Sequence, residues 1–159
     1  MSGAAIDLNA SELESVIERL EGLVDLLLAD RPTLMESIGA EGETQTRRRL
    51  RSEKTAPDGT AWPEWSTRYA ATRHGGHSLL MGEGHLEDDI TFDAHADGVT
   101  WGANLVYAAV HQAGADFSTI KGRRHVKIPA RPYLGLSSEN EADMQAVVDD
   151  WTQNVMARA

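Results

Sequence analysis

Residues 90–105 read ITFDAHADGVTWGANL, and this stretch decides the fold class. Asp97-Gly98 is a favoured two-residue hairpin turn, because both residues tolerate the positive φ that the turn requires. When the chain is folded there, every second cross-strand pair is apolar on both sides, and the pairs between them are polar. We therefore predict an antiparallel β-hairpin with one face on the core and the other in water. The apolar pairs are Ala96 with Val99, Ala94 with Trp101, Phe92 with Ala103, and Ile90 with Leu105.

Helical periodicity dominates the chain before the hairpin. Between residues 10 and 30, apolar side chains recur every three or four positions, which predicts a helix with one apolar stripe. Pro32 is expected to end or bend this helix, because proline restricts the residue before it to extended conformations. A second helix over residues 33–54 is weakened by Gly39 and Gly42, so we expect it to exchange its amide hydrogens quickly until a partner covers it. The stripe consists of Leu13, Val16, Ile17, Leu20, Leu23, Val24 and Leu27.

A short helix and a strand are predicted after the hairpin. Tyr107 and His111 share a face at helical spacing, and Gly114 is typical of a helix end. A basic loop, residues 115–124, then leads into a short strand over residues 125–128.

A final helix completes the predicted fold. Ser138 and Glu141 are spaced as a capping box, and an apolar face follows them. The order of elements predicts an α+β fold with N-terminal helices, a small antiparallel sheet with a central β-hairpin, and a C-terminal helix. We divide the chain into an N-terminal helical segment, residues 1–56, and an α+β core, residues 57–159, within one compact domain. The apolar face of the last helix consists of Ala142, Met144, Val147, Val148, Trp151 and Val155.

The composition excludes several classes of protein. The 159 residues include no cysteine, which removes disulfides, thiolate zinc sites and cysteine nucleophiles together. No apolar run is long enough to span a membrane. The N-terminus lacks the basic end and the apolar core of a signal peptide. We therefore expect a protein that is made and kept in the cytosol and has no membrane partner.

Charge is unevenly distributed along the chain. The net charge of −10 argues against nonspecific nucleic-acid binding by the surface as a whole. Residues 1–46 hold ten acids and two bases, whereas residues 118–136 hold five bases and no acid. This polarity suits a subunit that meets unlike neighbours on different faces. Solvated basic stretches without a partner are the alternative interpretation.

Histidines and carboxylates between residues 74 and 89 raise the question of a metal site. His74, His77 and His85 lie near Asp88 and Asp89, and such side chains can ligate a metal. However, two glycines separate His74 from His77, and the sequence contains neither an HExxH helix nor a G-x-S-x-G elbow. We expect no catalytic residue, no metal and no cofactor. A histidine/carboxylate metal-dependent hydrolase remains the competing hypothesis from another class.

Eight residues are assigned structural or interface roles: Trp62, Trp65, Tyr107, His111, Gln112, Pro129, Arg131 and Pro132. Trp62 and Trp65 follow the turn PDG and are interpreted as lids on the core rather than as binding platforms, because each has a large area to bury. His111, beside Gln112, is interpreted as a histidine hydrogen-bonded within a tight turn. The partners that a general base would need are missing from the sequence pattern.

Residues 128–136, IPARPYLGL, carry two prolines three positions apart. Pro129 and Pro132 bias the residues before them to extended conformations, so the segment leaves the sheet along a fixed path. Arg131 is thereby held where its guanidinium can bind a carboxylate, in its own subunit or in the next. An internal salt bridge that fixes the last helix and a contact between subunits are both open.

Four stretches, taken in order, carry a resemblance to a known family. Together they resemble the phage virion-morphogenesis family, the tail-completion proteins of Mu-like and related contractile-tailed phages, over residues 57–157. The family pattern looks to have a basic residue where His85 stands. The dense acids Glu87, Asp88 and Asp89 leave open which neighbour this face meets. The four stretches are PDGTAWPEW at 57–65, LLMGEGHLEDDI at 79–90, VTWGANLVYAAVHQAG at 99–114 and VKIPARPYLGLS at 126–137.

The resemblance implies a structural subunit of the phage particle that performs no catalysis. It implies a place at the head–tail neck, where the subunit completes tails and lets heads attach stably, with a homo-hexameric ring as the favoured state. The implied partners are other neck and tail proteins, including the tail terminator and the connector. A tail-terminator or head-side connector ring is the alternative within structural proteins. Such a subunit is assembled in the host cytoplasm and ends in the virion.

A place in a neck ring suggests what the basic loop, residues 115–124, contacts. Lys121, Arg123 and Arg124 are predicted to face the channel of the ring or an acidic neighbour, because like charges that converge on one axis need a compensating polyanion. DNA that passes through the neck would supply it through its phosphates, without base readout. The acid-rich first helix of an adjacent subunit would serve as well.

Overall fold

The computed structural model describes residues 10–118 and 125–158. It confirms the α+β class, with a long N-terminal helix, two small antiparallel hairpins and a C-terminal helix. Within the described residues, no helix is both long and apolar enough to cross a membrane. The elements are α1 (Ala10–Arg48), a π-helical turn (Arg49–Glu53), α2 (Thr67–Ala70), α3 (His85–Asp88), β1 (Ile90–His95), β2 (Gly98–Ala103), α4 (Ala108–Ala113), β3 (Ala115–Ser118), β4 (His125–Ile128) and α5 (Ser138–Met156).

Of the two outcomes predicted at Pro32, an end of the helix is wrong, because α1 continues through it as one helix of 39 residues. A proline inside a helix costs roughly 3 kcal/mol, so other contacts must hold the helix there. Asp30 accepts a hydrogen bond from the Trp151 indole at 2.7 Å and pairs with Arg158 at 2.9 Å. Arg31 donates to the carbonyl of Ala96 in the hairpin at 2.6 Å. Contacts to α5 and to the hairpin therefore stabilise the helix immediately before the proline.

Residues 33–54, which were predicted to form a weak helix that needs a partner surface, are helical and pack within their own subunit. Leu34 and Leu50 are buried, and the two glycines that weaken the helix in isolation are the points of closest approach to the hairpin. A Cβ atom at Gly42 would lie 2.7 Å from Cδ2 of Trp101, and one at Gly39 would overlap the ring of Phe92. The glycines thus let the apolar face of the hairpin pack directly on the helix backbone.

The hairpin exists, but its predicted register is wrong by two residues. The turn residues are Ala96 and Asp97, and the backbone takes a positive φ neither there nor at Gly98. Arg31 of α1 holds this turn, because its guanidinium contacts both the carbonyl of Ala96 and the carboxylate of Asp97. A shift of two keeps the side-chain alternation, so the predicted faces are correct. The observed pairs include Ile90 with Ala103, Phe92 with Trp101, and Ala94 with Val99.

A second hairpin follows the short helix α4. The predicted strand over residues 125–128 is confirmed, but it pairs with β3, in a segment that was predicted to be a loop. Gly114 ends α4 with a φ of 77°, as predicted. A Cβ atom at that position would lie 2.8 Å from the backbone nitrogen of Ala130, so the strand pair requires a residue without a side chain there.

The last helix begins one residue earlier than its predicted capping box. The Ser137 hydroxyl accepts a hydrogen bond from the backbone N–H of Asn140, and the Asn140 side chain accepts one from the backbone N–H of Ser137, each at 3.2 Å. The predicted apolar face is half-buried against α1 except for Ala142, which is exposed, and Val155, which is fully buried.

The buried core lies between the π-helical turn, the hairpin and the segment that follows β4. It includes Leu50 from the N-terminal segment, residues 1–56, together with residues from the segment 57–159. The two segments therefore share one core. Trp65, Leu80, Leu105 and Leu134 pack around it in half-buried positions. Its buried members are Leu50, Trp62, Leu79, Leu86, Ile90, Ala108 and Tyr133.

Candidate functional site

Arg131 connects the IPARPYLGL segment to the segment after Trp62. Its side chain is 6% exposed and donates to the backbone carbonyls of Pro63 at 2.8 Å and Glu64 at 3.2 Å. Its own backbone N–H donates to the carbonyl of His111 at 2.8 Å. Burial lowers the pKa of Arg131 from its ordinary value, and the carboxylate of Glu64 opposes this. The hydrogen-bond partners of the Arg131 side chain are backbone carbonyls and not a carboxylate. The predicted internal salt bridge to the last helix is therefore wrong.

Trp62 and Gln112 hold the following residues of the same segment. The Trp62 indole is 3% exposed and donates to the carbonyl of Pro132 at 2.9 Å, so the ring caps the core. The Gln112 amide oxygen accepts from the backbone N–H groups of Tyr133 at 2.9 Å and Leu134 at 3.0 Å. Its amide nitrogen donates to the carbonyl of Leu134 at 3.1 Å. The side chains of Trp62 and Gln112 therefore hold the backbone of residues 132–134 by four hydrogen bonds.

Arg49 is the anchor that sequence reasoning missed. Its side chain is 1% exposed and donates to the carbonyls of Tyr133 at 3.0 Å and Gly135 at 2.7 Å, and to the side chain of Asn140. Burial lowers its pKa, which Glu53 opposes. Arg49 lies in the basic run RRRLR, residues 47–51, which is visible in the sequence. Nothing in the local sequence distinguishes the arginine that enters the core from its neighbours.

The rest of the basic run is also used within the subunit. Arg47 donates to the carbonyl of Ile90 at 2.9 Å, and Arg51 pairs with the buried carboxylate of Glu87. The Lys54 ammonium donates to the carbonyl of Leu79 at 2.9 Å, and burial lowers its pKa. Glu87 belongs to the acid-dense stretch of residues 87–89, and its side chain is buried within the subunit. This run is occupied by backbone and carboxylate partners.

Asp89, from the same acid-dense stretch, closes the base of the hairpin. Its carboxylate accepts hydrogen bonds from the backbone N–H groups of Asn104 at 2.6 Å and Leu105 at 3.1 Å. Asp88 remains exposed on α3. Two of the three acids that departed from the family pattern therefore have internal partners.

A concave surface lies between the segment 64–86 and the β4–α4 region; we call it the groove. Its volume is about 780 Å³, and its wall is mainly apolar, with basic side chains among the aromatic and aliphatic ones. The Arg73 guanidinium lies 4.4 Å from the centre of the Tyr69 ring, which in turn packs edge to face on Trp65 at 5.9 Å. The groove lining includes Trp65, Tyr69, Arg73, Tyr107, Lys127 and Ile128.

Several polar atoms of the groove lack partners among the described residues. They include Nδ1 of His111, Nδ1 of His77 and Nε of Arg73, all of which are buried. The His111 ring packs edge to face on Tyr107 at 5.7 Å rather than making the predicted hydrogen bond within the turn. Desolvation, and secondarily the nearby charge of Arg131, lowers the pKa of His111. The groove therefore has hydrogen-bonding capacity that the subunit does not use.

The histidines do not form the ligand set that the metal hypothesis required. Across residues 10–118 and 125–158, no group of three or more histidine and carboxylate side chains is placed to hold a metal ion. The His74 and His77 rings stack edge to face at 5.9 Å, and His77 lies 3.4 Å from Glu83. Asp89 is committed to the backbone of the hairpin.

Residues 13–28 of α1, which we call the arm, form a second uncovered surface. Most of the predicted apolar stripe of this helix is exposed, with Leu13 at 58% and Leu20 at 57% of their accessible area, whereas Leu23 and Leu27 are half-buried. Seven of the thirteen large exposed apolar side chains in the described part of the chain lie on the arm, and Tyr69 and Tyr107 of the groove account for two more. The seven are Leu13, Val16, Ile17, Leu20, Val24, Leu26 and Leu28.

The predicted DNA-facing or partner-facing residues lie outside the described residues. Lys121, Arg123 and Arg124 belong to the segment 119–124 between β3 and β4. Lys127, from the same basic stretch, is exposed on β4 and lines the groove.

Comparison with known proteins gives one family and two relatives. Residues 11–153 match the model of the phage virion morphogenesis family. Mu-like prophage FluMu G protein 2 of Haemophilus influenzae is 30% identical over 145 residues, which cover 91% of this chain and 92% of the relative. Putative capsid assembly protein G of Escherichia phage Mu is 37% identical over 93 residues, covering 55% of this chain and 58% of that protein. No solved structure matches the chain.

Proposed function

The chain belongs to the phage virion morphogenesis family, and from this premise we propose that it is a structural protein of the head–tail neck. In this role it completes the tail and allows a stable junction with the head, as a homo-hexameric ring in contact with other neck and tail proteins. The observation that carries the proposal is the family match, which spans nearly the whole described chain. The assembly role also agrees with the description of the phage Mu relative as a putative capsid assembly protein.

The distribution of exposed apolar side chains supports an assembly role. Monomeric soluble proteins rarely expose large contiguous apolar patches, and such patches mark interaction surfaces. The arm exposes seven large apolar side chains along one helix, and the groove exposes aromatic rings beside basic groups. Both surfaces suit contacts with other protein subunits.

We also propose that the chain is not an enzyme. Among the described residues, the buried arginines Arg49 and Arg131 bind backbone carbonyls and thereby fix the fold. In the described residues, Ser66 caps α2 by accepting from the N–H of Tyr69. The buried Nδ1 of His111 faces no hydroxyl or carboxylate partner within the part of the chain that the structure describes. Within the described residues, Ser66 and His111 are therefore not arranged as a nucleophile and its base.

The decisive experiment deletes the gene from its phage or prophage and images the particles by electron microscopy. We expect filled heads and separate tails, with joined particles restored when the wild-type chain is supplied from a plasmid. Cryo-electron microscopy of the restored particles should place the subunit between head and tail. Tails of uncontrolled length would identify a tail terminator instead, and normal joined particles would refute a role in joining.

The basic loop gives a finer test of the same proposal. We propose that Lys121, Arg123 and Arg124 face the channel or an acidic neighbour in the ring. Changing all three to glutamate should leave the subunit folded but block joining or DNA passage, because repulsion replaces attraction for the polyanion. The matched control is Arg68→Glu, on the exposed surface of α2. Normal infectivity of the triple variant would mean that the three basic side chains contact no polyanion and are ordinary solvated surface.

A further inference from the structure

We propose that the arm of one copy of this chain docks in the groove of the next copy, so that subunits join head to tail. This inference rests on the proposed function for its setting in a ring, and it names the surfaces that would make the ring. The occupant of the groove is the helical segment 13–28 of a second, identical chain.

The arm has the form of a helix that binds in a groove. Its exposed apolar residues include Leu13, Leu20 and Val24, whose spacings of seven and four place them on one face of the helix. Recognition of an amphipathic helix by an apolar groove uses this pattern of anchors. At a rise of about 1.5 Å per residue, the sixteen residues of the arm extend over roughly 24 Å, enough for several anchors to engage at once.

The groove offers what such a helix needs. Its volume is about 780 Å³, and its wall is mainly apolar. Aromatic rings from Trp65, Tyr69 and Tyr107 line it, and aromatic side chains are enriched at the centres of protein interfaces. The Arg73 guanidinium lies among these rings with its Nε lacking a partner, and it can bind an incoming carboxylate.

Charge complementarity favours the groove over a second arm as the partner. Residues 13–28 contain four acids and one base, so two arms side by side would repel each other. In the groove, Arg73, Arg131 and Lys127 outnumber Glu64 and Glu83. Opposite charge across an interface guides encounter and suppresses the wrong pairing.

The arm cannot reach the groove of its own subunit by folding back. It is continuous with the packed part of α1, which runs as one helix to Arg48. The complementary partner is therefore supplied by another molecule. Because arm and groove are different surfaces, each copy has one of each to offer, and such heterologous contacts generate a closed ring when the rotation between neighbours divides a full turn.

The test uses the full chain with two variants. The arm variant, Leu20→Gln with Val24→Gln, removes two exposed anchors while keeping helix-forming residues. The groove variant, Arg73→Glu with Lys127→Glu, reverses two basic side chains of the groove. We expect each variant alone to be a folded monomer in analytical ultracentrifugation at low salt, with self-association weakened at least tenfold relative to wild type.

A mixture of the two variants decides between head-to-tail and symmetric contacts. The arm of the groove variant is intact, and so is the groove of the arm variant, so one productive interface remains. We expect a one-to-one heterodimer that grows no further. If the groove variant assembles like wild type while the arm variant does not, arms pair with arms and the proposal fails. If the mixture stays monomeric although both variants are folded, it fails as well.

Two matched substitutions control for chemistry. Met156→Gln makes the same kind of change at an exposed apolar residue at the end of α5, and Arg68→Glu reverses a basic residue outside the groove. Both should assemble as wild type, with far-UV circular dichroism confirming the fold of every variant. Loss of assembly in either control would contradict an interface confined to arm and groove.

The docking of arm and groove and the proposed neck function are tested by different experiments. Wild-type chain that stays monomeric at its highest soluble concentration overturns the docking of arm and groove. It leaves untouched the deletion experiment on particles, which reports the place of the protein in head–tail joining. Conversely, joined particles in the deletion strain refute the neck function without affecting a ring that forms in solution.

Discussion

The two halves of α1 show opposite relations between sequence and packing. The arm, residues 13–28, has the strongest apolar periodicity in the chain, and most of that stripe is exposed. The packed half, residues 33–48, contains Gly39, Gly42 and several polar residues, yet the hairpin and α5 cover it. Apolar periodicity indicates that a face will be covered but does not say by which molecule. Glycines at helical spacing mark where another element approaches the backbone.

Polar side chains in the packed half are compatible with burial because they have partners. The amide nitrogen of Gln45, which is almost fully buried, donates to Glu41 at 2.8 Å and to the carbonyl of Asn140 at 3.2 Å, whereas its amide oxygen has no partner among the described residues. The Thr46 hydroxyl donates to the carbonyl of Gly42 at 2.8 Å. Buried polar groups are costly only when they lack hydrogen bonds, so a helix without an apolar stripe can still form a core face.

Amide hydrogen exchange of the isolated subunit should show the largest difference between the two halves. We expect amides of the packed half to exchange only through global unfolding, whereas those of the arm open locally and exchange many orders of magnitude faster. This reverses the expectation from sequence, which assigned fast exchange to residues 33–54. Equal protection along the whole of α1 in a confirmed monomer would contradict the difference in packing. If amides of the arm became protected from exchange only on assembly, this would show that the arm is covered by another subunit.

A pair of arginine substitutions should give the next largest effect. Arg49→Met leaves two carbonyls and the Asn140 side chain without their buried donor, which we expect to cost about 3 kcal/mol or more of the free energy of unfolding. Arg19→Met makes the same change on the exposed surface of the arm, where the expected change is within about 0.5 kcal/mol. Urea unfolding monitored by tryptophan fluorescence measures both. Similar losses for the two variants would mean that Arg49 is not an anchor.

The fold class and the faces of the hairpin could be predicted because both depend on local alternation. The register could not, because Arg31 on α1 holds the turn at Ala96 and Asp97, and that contact is distant in sequence. The continuity of α1 through Pro32 escaped prediction for the same reason, since the contacts of Asp30 and Arg31 compensate a local rule.

The sequence did not predict the partners of the residues that were assigned structural roles. Trp62 donates to the carbonyl of Pro132, and Gln112 accepts from the backbone of the segment after β4. The carboxylate expected for Arg131 was replaced by carbonyls, because a guanidinium donor does not reveal in sequence which acceptor it will meet. The groove was not foreseen, since it forms only when the segment 64–86 meets β4 and α4.

Two glycine-to-alanine changes give the smallest expected effects, and their signs should be opposite. At Gly22 of the arm, no atom outside the helix lies within 4 Å of a new Cβ, so Gly22→Ala should stabilise the helix by about 0.5–1 kcal/mol through its higher helix propensity. At Gly42 the same gain is offset by overlap with the Trp101 ring, whose Cδ2 would lie 2.7 Å from the new atom. Overpacking of this kind costs roughly 1–3 kcal/mol, so Gly42→Ala should be net destabilising by about 1 kcal/mol. Urea midpoints at constant m-value, together with the helical signal in circular dichroism, measure both changes. If Gly42→Ala were as harmless as Gly22→Ala, the hairpin would not lie on the backbone of α1, and the distinction between the two halves would lose its physical basis.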